Sequence, residues 1–359
     1  MILTFIIGLI SLISLITLHE LGHFILAKKF RVKVEEFGIG YPPRIIAKKI
    51  GETIYSLNLL PFGAFVRMPG EIEKSRDPHS FSRQSVGKRF LIALGGVLSF
   101  WVIAAILFSI VFGLGAPVMI EDEEISNFLN PKVNIIDIAS DSPADIAGLK
   151  VGDIIKGFKI GGLRFDVTKI KEIKEIINQN KGQNIILIIE REKEVFEASL
   201  IPRILPPEGE GPMGVALIRT AIQKHPWYLA PFKGIVTTGK ITLAVIQVYI
   251  QALENLFLGQ RTGIEIVGPV GIFQMLTQTQ RLGLIYFLNF LSLISIQLAI
   301  FNLLPIPAVD GGRILFLAIE AVRKKPVSEK IQQKMIAFSF MALLLLMVWV
   351  TIKDIARIF

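Results

Sequence analysis

The 359-residue chain has no cysteine, four histidines, three tryptophans and only 19% charged residues. Without cysteine there is no disulfide framework, iron–sulfur cluster, thiolate zinc finger or cysteine nucleophile. The four histidines (His19, His23, His79 and His225) leave few ways to build a metal site. The apolar residues, 52% of the total, gather in long runs separated by polar blocks. That clustering excludes an ordinary soluble globule, and also a disordered or collagen-like chain. Gly95-Gly96 and Gly311-Gly312 lack a strand–turn–helix context, so they are not phosphate loops. The net charge of +9 comes from lysines and arginines beside apolar runs, without aromatic interleaving, so no nucleic-acid partner is expected.

A helix needs about 20 apolar residues to cross hydrocarbon. Residues 2–27, 90–112, 284–304 and 337–352 read as spans. The first has no basic n-region and no small-residue cleavage site, so it reads as retained rather than as a signal peptide. Loop 28–89 holds 13 Lys/Arg against 6 Asp/Glu, a balance of +7, whereas segment 118–229 holds 14 against 17, a balance of −3. Segment 305–332 adds Arg313, Arg323, Lys324, Lys325 and Lys330. Basic loops stay inside. Both basic loops are therefore expected in the cytoplasm, with the middle segment and both termini outside. Segment 230–258 is also apolar and helical. Lys233, Lys240 and Glu254 leave it an uncharged stretch of only 13 residues, which suits an interfacial or re-entrant helix.

The expected architecture is a polytopic α-helical membrane protein with about four transmembrane helices and an inserted extracytoplasmic α+β domain. Its parts are an N-terminal membrane half (1–117), the inserted domain (118–205), a linker with an amphipathic helix (206–283) and a C-terminal membrane half (284–359). Within the inserted domain, 133–139 and 194–201 alternate as strands, 184–190 is rich in apolar, mostly β-branched residues, and 168–178 has helical spacing. The stretch from Ser142 to Asp153, reading Ser-Pro-Ala-Asp-Ile-Ala-Gly-Leu-Lys-Val-Gly-Asp, resembles the short helix and turn of PDZ domains in their circularly permuted bacterial form. That resemblance implies peptide binding by addition of a strand to an exposed edge, or a role as a steric gate.

His19-Glu20-Leu21-Gly22-His23 places HExxH inside an apolar helix. Residues i and i+4 share a helix face, so both imidazoles can reach one metal, and Glu20 is placed to take a proton from an activated water. Ionisable groups near mid-bilayer cost about 2.5–3.5 kcal/mol on insertion scales, so they need a functional reason. The plain alternative is a neutral His pair with a protonated Glu packed between helices. A catalytic zinc usually has three protein ligands and an open position. His79 and His225 lie in polar segments outside the spans. Glu35 and Glu36 sit among basic residues, where charge pairing accounts for them. Asp310 follows a proline-broken segment, Leu304-Pro305-Ile306-Pro307, and the charge-derived topology brings it to the depth of the His pair. Its plain alternative is a helix N-cap.

These motifs resemble the site-2 protease family of intramembrane zinc metalloproteases, in the regulator of sigma-E protease type with one PDZ domain. The likeness includes the H-E-x-G-H form at 19–23 and the N-x-x-P-x-P-x-x-D-G-G form at 302–312. It extends to 63–71, to 81–89 and to Gly268-Pro269-Val270-Gly271-Ile272. The resemblance implies Zn2+ held by His19, His23 and Asp310, with Glu20 as the catalytic base. It implies Asn302 as a substrate contact and a membrane-reentrant β-hairpin at about 52–69, made from 53–61 and 63–68. Gly63, Ala64, Phe65 and Val66 would bind the substrate along that hairpin's edge. It further implies a bacterial inner-membrane enzyme that cleaves transmembrane segments of single-pass membrane proteins, such as anti-sigma factors or signal-peptide remnants. Gly95-Gly96-Val97-Leu98-Ser99 departs from the family's Gly-Pro-x-x-Asn, so no role for Ser99 follows. The rival readings are a catalytically silent PDZ-bearing scaffold, which the intact Glu20 opposes, a transporter, which the lack of inverted repeats opposes, and a metalloprotease with a Glu third ligand.

Overall fold

The computed structural model describes residues 2–71, 75–123, 128–191, 194–260, 262 and 266–358. In chain order it contains α1 (Ile2–Lys29), β1 (Glu36–Ile50), β2 (Thr53–Arg67), α2 (Val86–Leu114), β3 (Ala116–Met119), β4 (Leu129–Ile138), α3 (Pro143–Ile146), β5 (Ile154–Ile160), β6 (Leu163–Asp166), α4 (Ile170–Gln179), β7 (Ile185–Arg191), β8 (Glu194–Leu200), β9 (Val215–Gln223), α5 (Ala230–Phe257), α6 (Pro269–Leu282), α7 (Leu284–Leu303), α8 (Asp310–Arg323) and α9 (Glu329–Ile358). Contacts divide the chain into two units, Met1–Ile110 with Tyr228–Phe359, and Val111–Trp227.

In the first unit the long apolar runs form helices because only a helix satisfies every backbone group without water. Ser11, Ser14 and Thr17 on α1 return their hydroxyls to the carbonyls four residues earlier, which keeps these side chains satisfied in an apolar run. Helices α1 and α2 run antiparallel and nearly touch. A Cβ on Gly22 would collide with the carbonyl of Gly95, so this seam depends on residues without side chains. Helix α7 hooks onto α2 through Ser295 Oγ, which donates to the Phe100 carbonyl at 2.7 Å. It also shares a core with Leu15 of α1 through Phe287, Leu291 and Ala299. Asp354 of α9 caps α6 by accepting from Gly271 N at 2.8 Å.

Segment 230–258 is one continuous 28-residue helix, α5, about 42 Å long at 1.5 Å per residue. By length and composition alone, five helices among the described residues, α5 included, are long and apolar enough to cross a membrane. α5 also lies antiparallel along α2, with Trp101 Nε1 donating to Thr242 Oγ1 at 3.2 Å and Gly234 against Ala105 and Ser109.

One expectation, the hairpin, needs revision. Residues 53–61 do not pair with 63–68. They form one strand, β2, whose first part pairs with Arg44–Ile50 and whose last part pairs Ala64 with Ile39 and Arg67 with Glu36. Glu36–Ile39 is therefore flanked on both sides by β2. The partner strand escaped the sequence reading because Pro42-Pro43 and Lys48-Lys49 interrupt its apolar alternation. Glu36 is buried in this sheet and accepts from Arg44 Nη2 at 2.6 Å and Ser56 Oγ at 2.7 Å. The Arg44 guanidinium and burial pull its carboxyl in opposite directions, and the Arg44 bonds win, holding it below the usual carboxylate value. Glu36 is thus committed to the hairpin and is no metal ligand.

In the second unit the strand order is β3-β9-β4-β5-β7-β8, with β6 beside β5. Ile135, Ile155, Phe158, Leu187 and Ile189 of the sheet are fully buried, and Ile173 and Ile177 close the core from α4. The expected end at residue 205 falls short. β9 sits between β3 and β4, so the unit runs to Trp227. The Gly- and Pro-rich stretch 206–214 resembles a linker but is a loop leading into a central strand. The Ser-Pro-Ala…Gly-Asp motif is structural. Ser142 Oγ accepts from Asp145 N at 3.2 Å to start α3, and buried Asp153 takes two bonds from Arg191 at 2.7 and 2.8 Å.

Candidate metal centre

The site lies where α1, α2 and the start of α8 meet. His19 and His23 stand one turn apart on the same face of α1, and both are buried. Asp310 arrives because Pro305 and Pro307 end α7 and the chain turns to begin α8. Gly311 and Gly312 permit the turn, since a Cβ on either would strike the carbonyls of Leu304 or Ile306. Asp310 Oδ2 lies 3.2 Å from Nε2 of both histidines. Tetrahedral zinc with bonds of about 2.0–2.1 Å has ligand–ligand edges of about 3.3 Å, so two imidazole nitrogens and one carboxylate oxygen fit it. Three ligand atoms within 4.8 Å of one another form the one such group among the described residues. The resemblance-derived ligand set is therefore together in space.

Neighbouring groups fix the ligands. His23 Nδ1 donates to the Ile92 carbonyl at 2.8 Å, which leaves Nε2 as the free lone pair. His19 stacks on Phe100 with ring centres 4.5 Å apart. Gly96 lies directly beneath His23, and a Cβ there would overlap the imidazole. Arg313, one turn after Asp310 on α8, pairs with Glu71 Oε1 at 2.6 Å and reaches to 3.9 Å of Asp310 Oδ1. Glu20 is half-buried next to the His pair, within electrostatic reach of His19, His23, Asp310 and Arg313.

The other expected residues sit farther from the ligands or face elsewhere. Asn302 Nδ2 donates to Leu298 O of its own helix at 2.9 Å, so its amide turns back onto α7. Ser99 Oγ donates to Gly96 O at 2.6 Å. Gly63, Ala64, Phe65 and Val66 occupy the last part of β2, with β1 on one side and no further strand on the other among the described residues. The space beside Gly63 opens on Ile16 of α1, one turn before Glu20, and on Tyr41. His79 and His225 do not join the cluster. Sequence reasoning missed Ile92, Gly96, Phe100, Arg313 and Glu71. A backbone carbonyl leaves no trace in residue identity. Arg313, three residues after a ligand on the same helix, was the one detectable signal.

Residues 7–347 match peptidase family M50. A Clostridium perfringens protein assigned by name to the zinc metalloproteases is 34% identical over 349 residues, covering 97% of each chain. The regulator of sigma-W protease RasP of Bacillus subtilis is 27% identical, covering 96% of each chain, and the regulator of sigma-E protease RseP of Escherichia coli is 26% identical, covering 98% of each. The solved PDZ domain of an SdrC-like protein from Listeria monocytogenes covers 26% of this chain at 18% identity with a TM-score of 0.21, a likeness on which no argument rests. The paired histidines and aspartate, the glutamate beside them and the match along the chain agree: it is a zinc metalloprotease and belongs to peptidase family M50, the site-2 protease family.

Proposed function

We propose that the chain is an intramembrane endopeptidase that hydrolyses a peptide bond in or near the transmembrane segment of single-pass membrane proteins. Anti-sigma factors and signal-peptide remnants are the substrate classes that the family resemblance implies. The carrying observation is that His19, Glu20 and His23 lie on α1, a helix long and apolar enough to span, with Asp310 Oδ2 3.2 Å from both imidazoles.

His19, His23 and Asp310 would hold the zinc. When bound, zinc supplies Lewis-acid polarisation of the scissile carbonyl and of the attacking water. Glu20 takes the proton from that water and passes it to the leaving amine nitrogen. Ile92 O keeps His23 in the ligating tautomer, and Arg313 orients the carboxylate of Asp310. The open side of Ala64–Arg67 receives the substrate as an added strand. That matters because a helical substrate has its carbonyls bonded internally and must unwind before attack, and strand addition replaces the bonds it loses. The unit Val111–Trp227, read as a PDZ domain on the outer side, excludes substrates with bulky ectodomains or holds a peptide from a trimmed one. The basic loop 28–89 lies in the cytoplasm.

The test is a reporter with a single transmembrane segment co-expressed with wild-type enzyme or Glu20→Gln. The variant is expected to cut about 10²–10⁴-fold more slowly while keeping its zinc. Wild-type rates from the variant would remove the protease reading.

A further inference from the structure

A second pocket opens in the first unit, lined by none of the metal-ligand residues themselves. It is an open cavity of about 630 Å3 between the loop before α2, α8 and the start of α9. Four arginines line it: Arg76, Arg83, Arg89 and Arg313. So do three carboxylates, Glu71, Glu320 and Glu329. Arg313 takes Glu71, and Arg89 takes Glu320 through two bonds at 3.1 and 2.5 Å. Arg76 and Arg83 are exposed and make no ion pair among the described residues, so the wall carries more guanidiniums than carboxylates. Arg89 Nε is buried without a hydrogen-bond partner, an unmet donor in the same wall.

The ligand class follows from shape and depth. Guanidinium forks match phosphate oxygens two at a time. The volume falls within the range of about 300–1,000 Å3 of small-molecule pockets, so it suits a phosphate carried on a larger body. Phe316, Leu317, Pro326 and Val327 provide apolar wall for that body. Arg89 and Gln332 lie in the first turns of α2 and α9, two helices long enough to span. That is the level at which a spanning helix leaves hydrocarbon and phospholipid headgroups sit.

We propose that this cavity binds the phosphate group of an anionic phospholipid headgroup, held by Arg76 and Arg83. The inference does not depend on the protease reading, because its readout is binding. Arg313 belongs to the cavity wall and also approaches Asp310, so an occupied cavity lies one side chain from a metal ligand.

The experiment uses the full chain in neutral detergent. Its unfolding midpoint is followed with dihexanoyl phosphatidylglycerol, dihexanoyl phosphatidylcholine or inorganic phosphate at matched ionic strength. Phosphatidylglycerol is expected to raise the midpoint by several degrees over phosphatidylcholine, because a ligand that binds only the folded state stabilises it. The double variant R76Q/R83Q is expected to match wild type without lipid and to lose most of that shift. R76K/R83K keeps the charge but not the forks and should retain part of it. Should R76Q/R83Q fail to fold, R76Q and R83Q singly must each lose part of the shift. Equal shifts by the two lipids, or a wild-type response from the Gln variants, would overturn the proposal. A shift by inorganic phosphate equal to that by phosphatidylglycerol, abolished in R76Q/R83Q, would support the phosphate site and overturn the lipid source.

Discussion

In the unit formed by Met1–Ile110 and Tyr228–Phe359, the buried residues include His19, His23, Ser292, Ser295 and Asp354, while Phe338, Leu345 and Trp349 stand exposed. In Val111–Trp227 the interior is Val133, Ile135, Phe158, Ile173 and Leu187, and its few buried polar groups are tied up locally, as Asp153 is by Arg191. The first arrangement suits a hydrocarbon solvent, where apolar surface costs nothing and every polar group must turn inward. The second suits water, where burying apolar surface drives folding. Chemistry concentrates in the first unit for the same reason: the inward-facing polar groups there are already gathered, desolvated and fixed.

Breaking that concentration should have the largest effect. His23→Ala or Asp310→Ala removes one of the three proposed ligands. Stoichiometric zinc should be lost by metal analysis, and reporter cleavage should fall further than in Glu20→Gln, which keeps the metal. Next is the glycine seam. Gly96→Ala should drive the His23 imidazole out of place, lowering zinc content and costing about 1–3 kcal/mol of overpacking. Gly87→Ala, which meets open space on the same helix, should be neutral or slightly stabilising. Ile173→Ala in α4 should cost the second unit about 2–5 kcal/mol, read by hydrogen exchange on β7 and β9 in the full chain, with zinc content unchanged.

The smallest effect is electrostatic. Hydrogen bonds from Lys156, and then Lys132, hold the Glu190 carboxyl below its ordinary value of 4.5. A lowered folded-state value means the unfolded chain binds the proton more readily. The contribution is therefore present above pH 4.5 and is lost as pH falls through the folded-state value. Both lysines are part-exposed, so it amounts to about 1 kcal/mol or less. Acid unfolding of β7 and β8, followed by hydrogen exchange, should be less steep in Glu190→Gln.

The metal site was legible because its constraint is local and chemical. Two histidines four residues apart with a glutamate between them, inside an apolar run, serve few purposes besides holding a metal, and the charge balance of the loops directed α7 toward the same depth. The groups that hold the ligands were not legible. Ile92 acts through its carbonyl and Gly96 through the absence of a side chain. Glu71 reaches Asp310 only through Arg313. The hairpin register was misread because β2 pairs with two stretches of β1, 36–39 and 44–50, a pairing that alternation cannot encode. β9 was missed because the loop before it has the composition of a linker.

The proposed ligands of one metal come from opposite ends of the chain, with Asp310 287 residues beyond His23. At a synthesis rate of about 5–20 residues per second, roughly 15–60 s separate their emergence from the ribosome. During that interval the histidine pair and Glu20 are already in place, but the third ligand does not exist. On the proposed reading, the enzyme is thus inert while its own segments are entering the bilayer. On that reading, activation coincides with the arrival of the last quarter of the polypeptide.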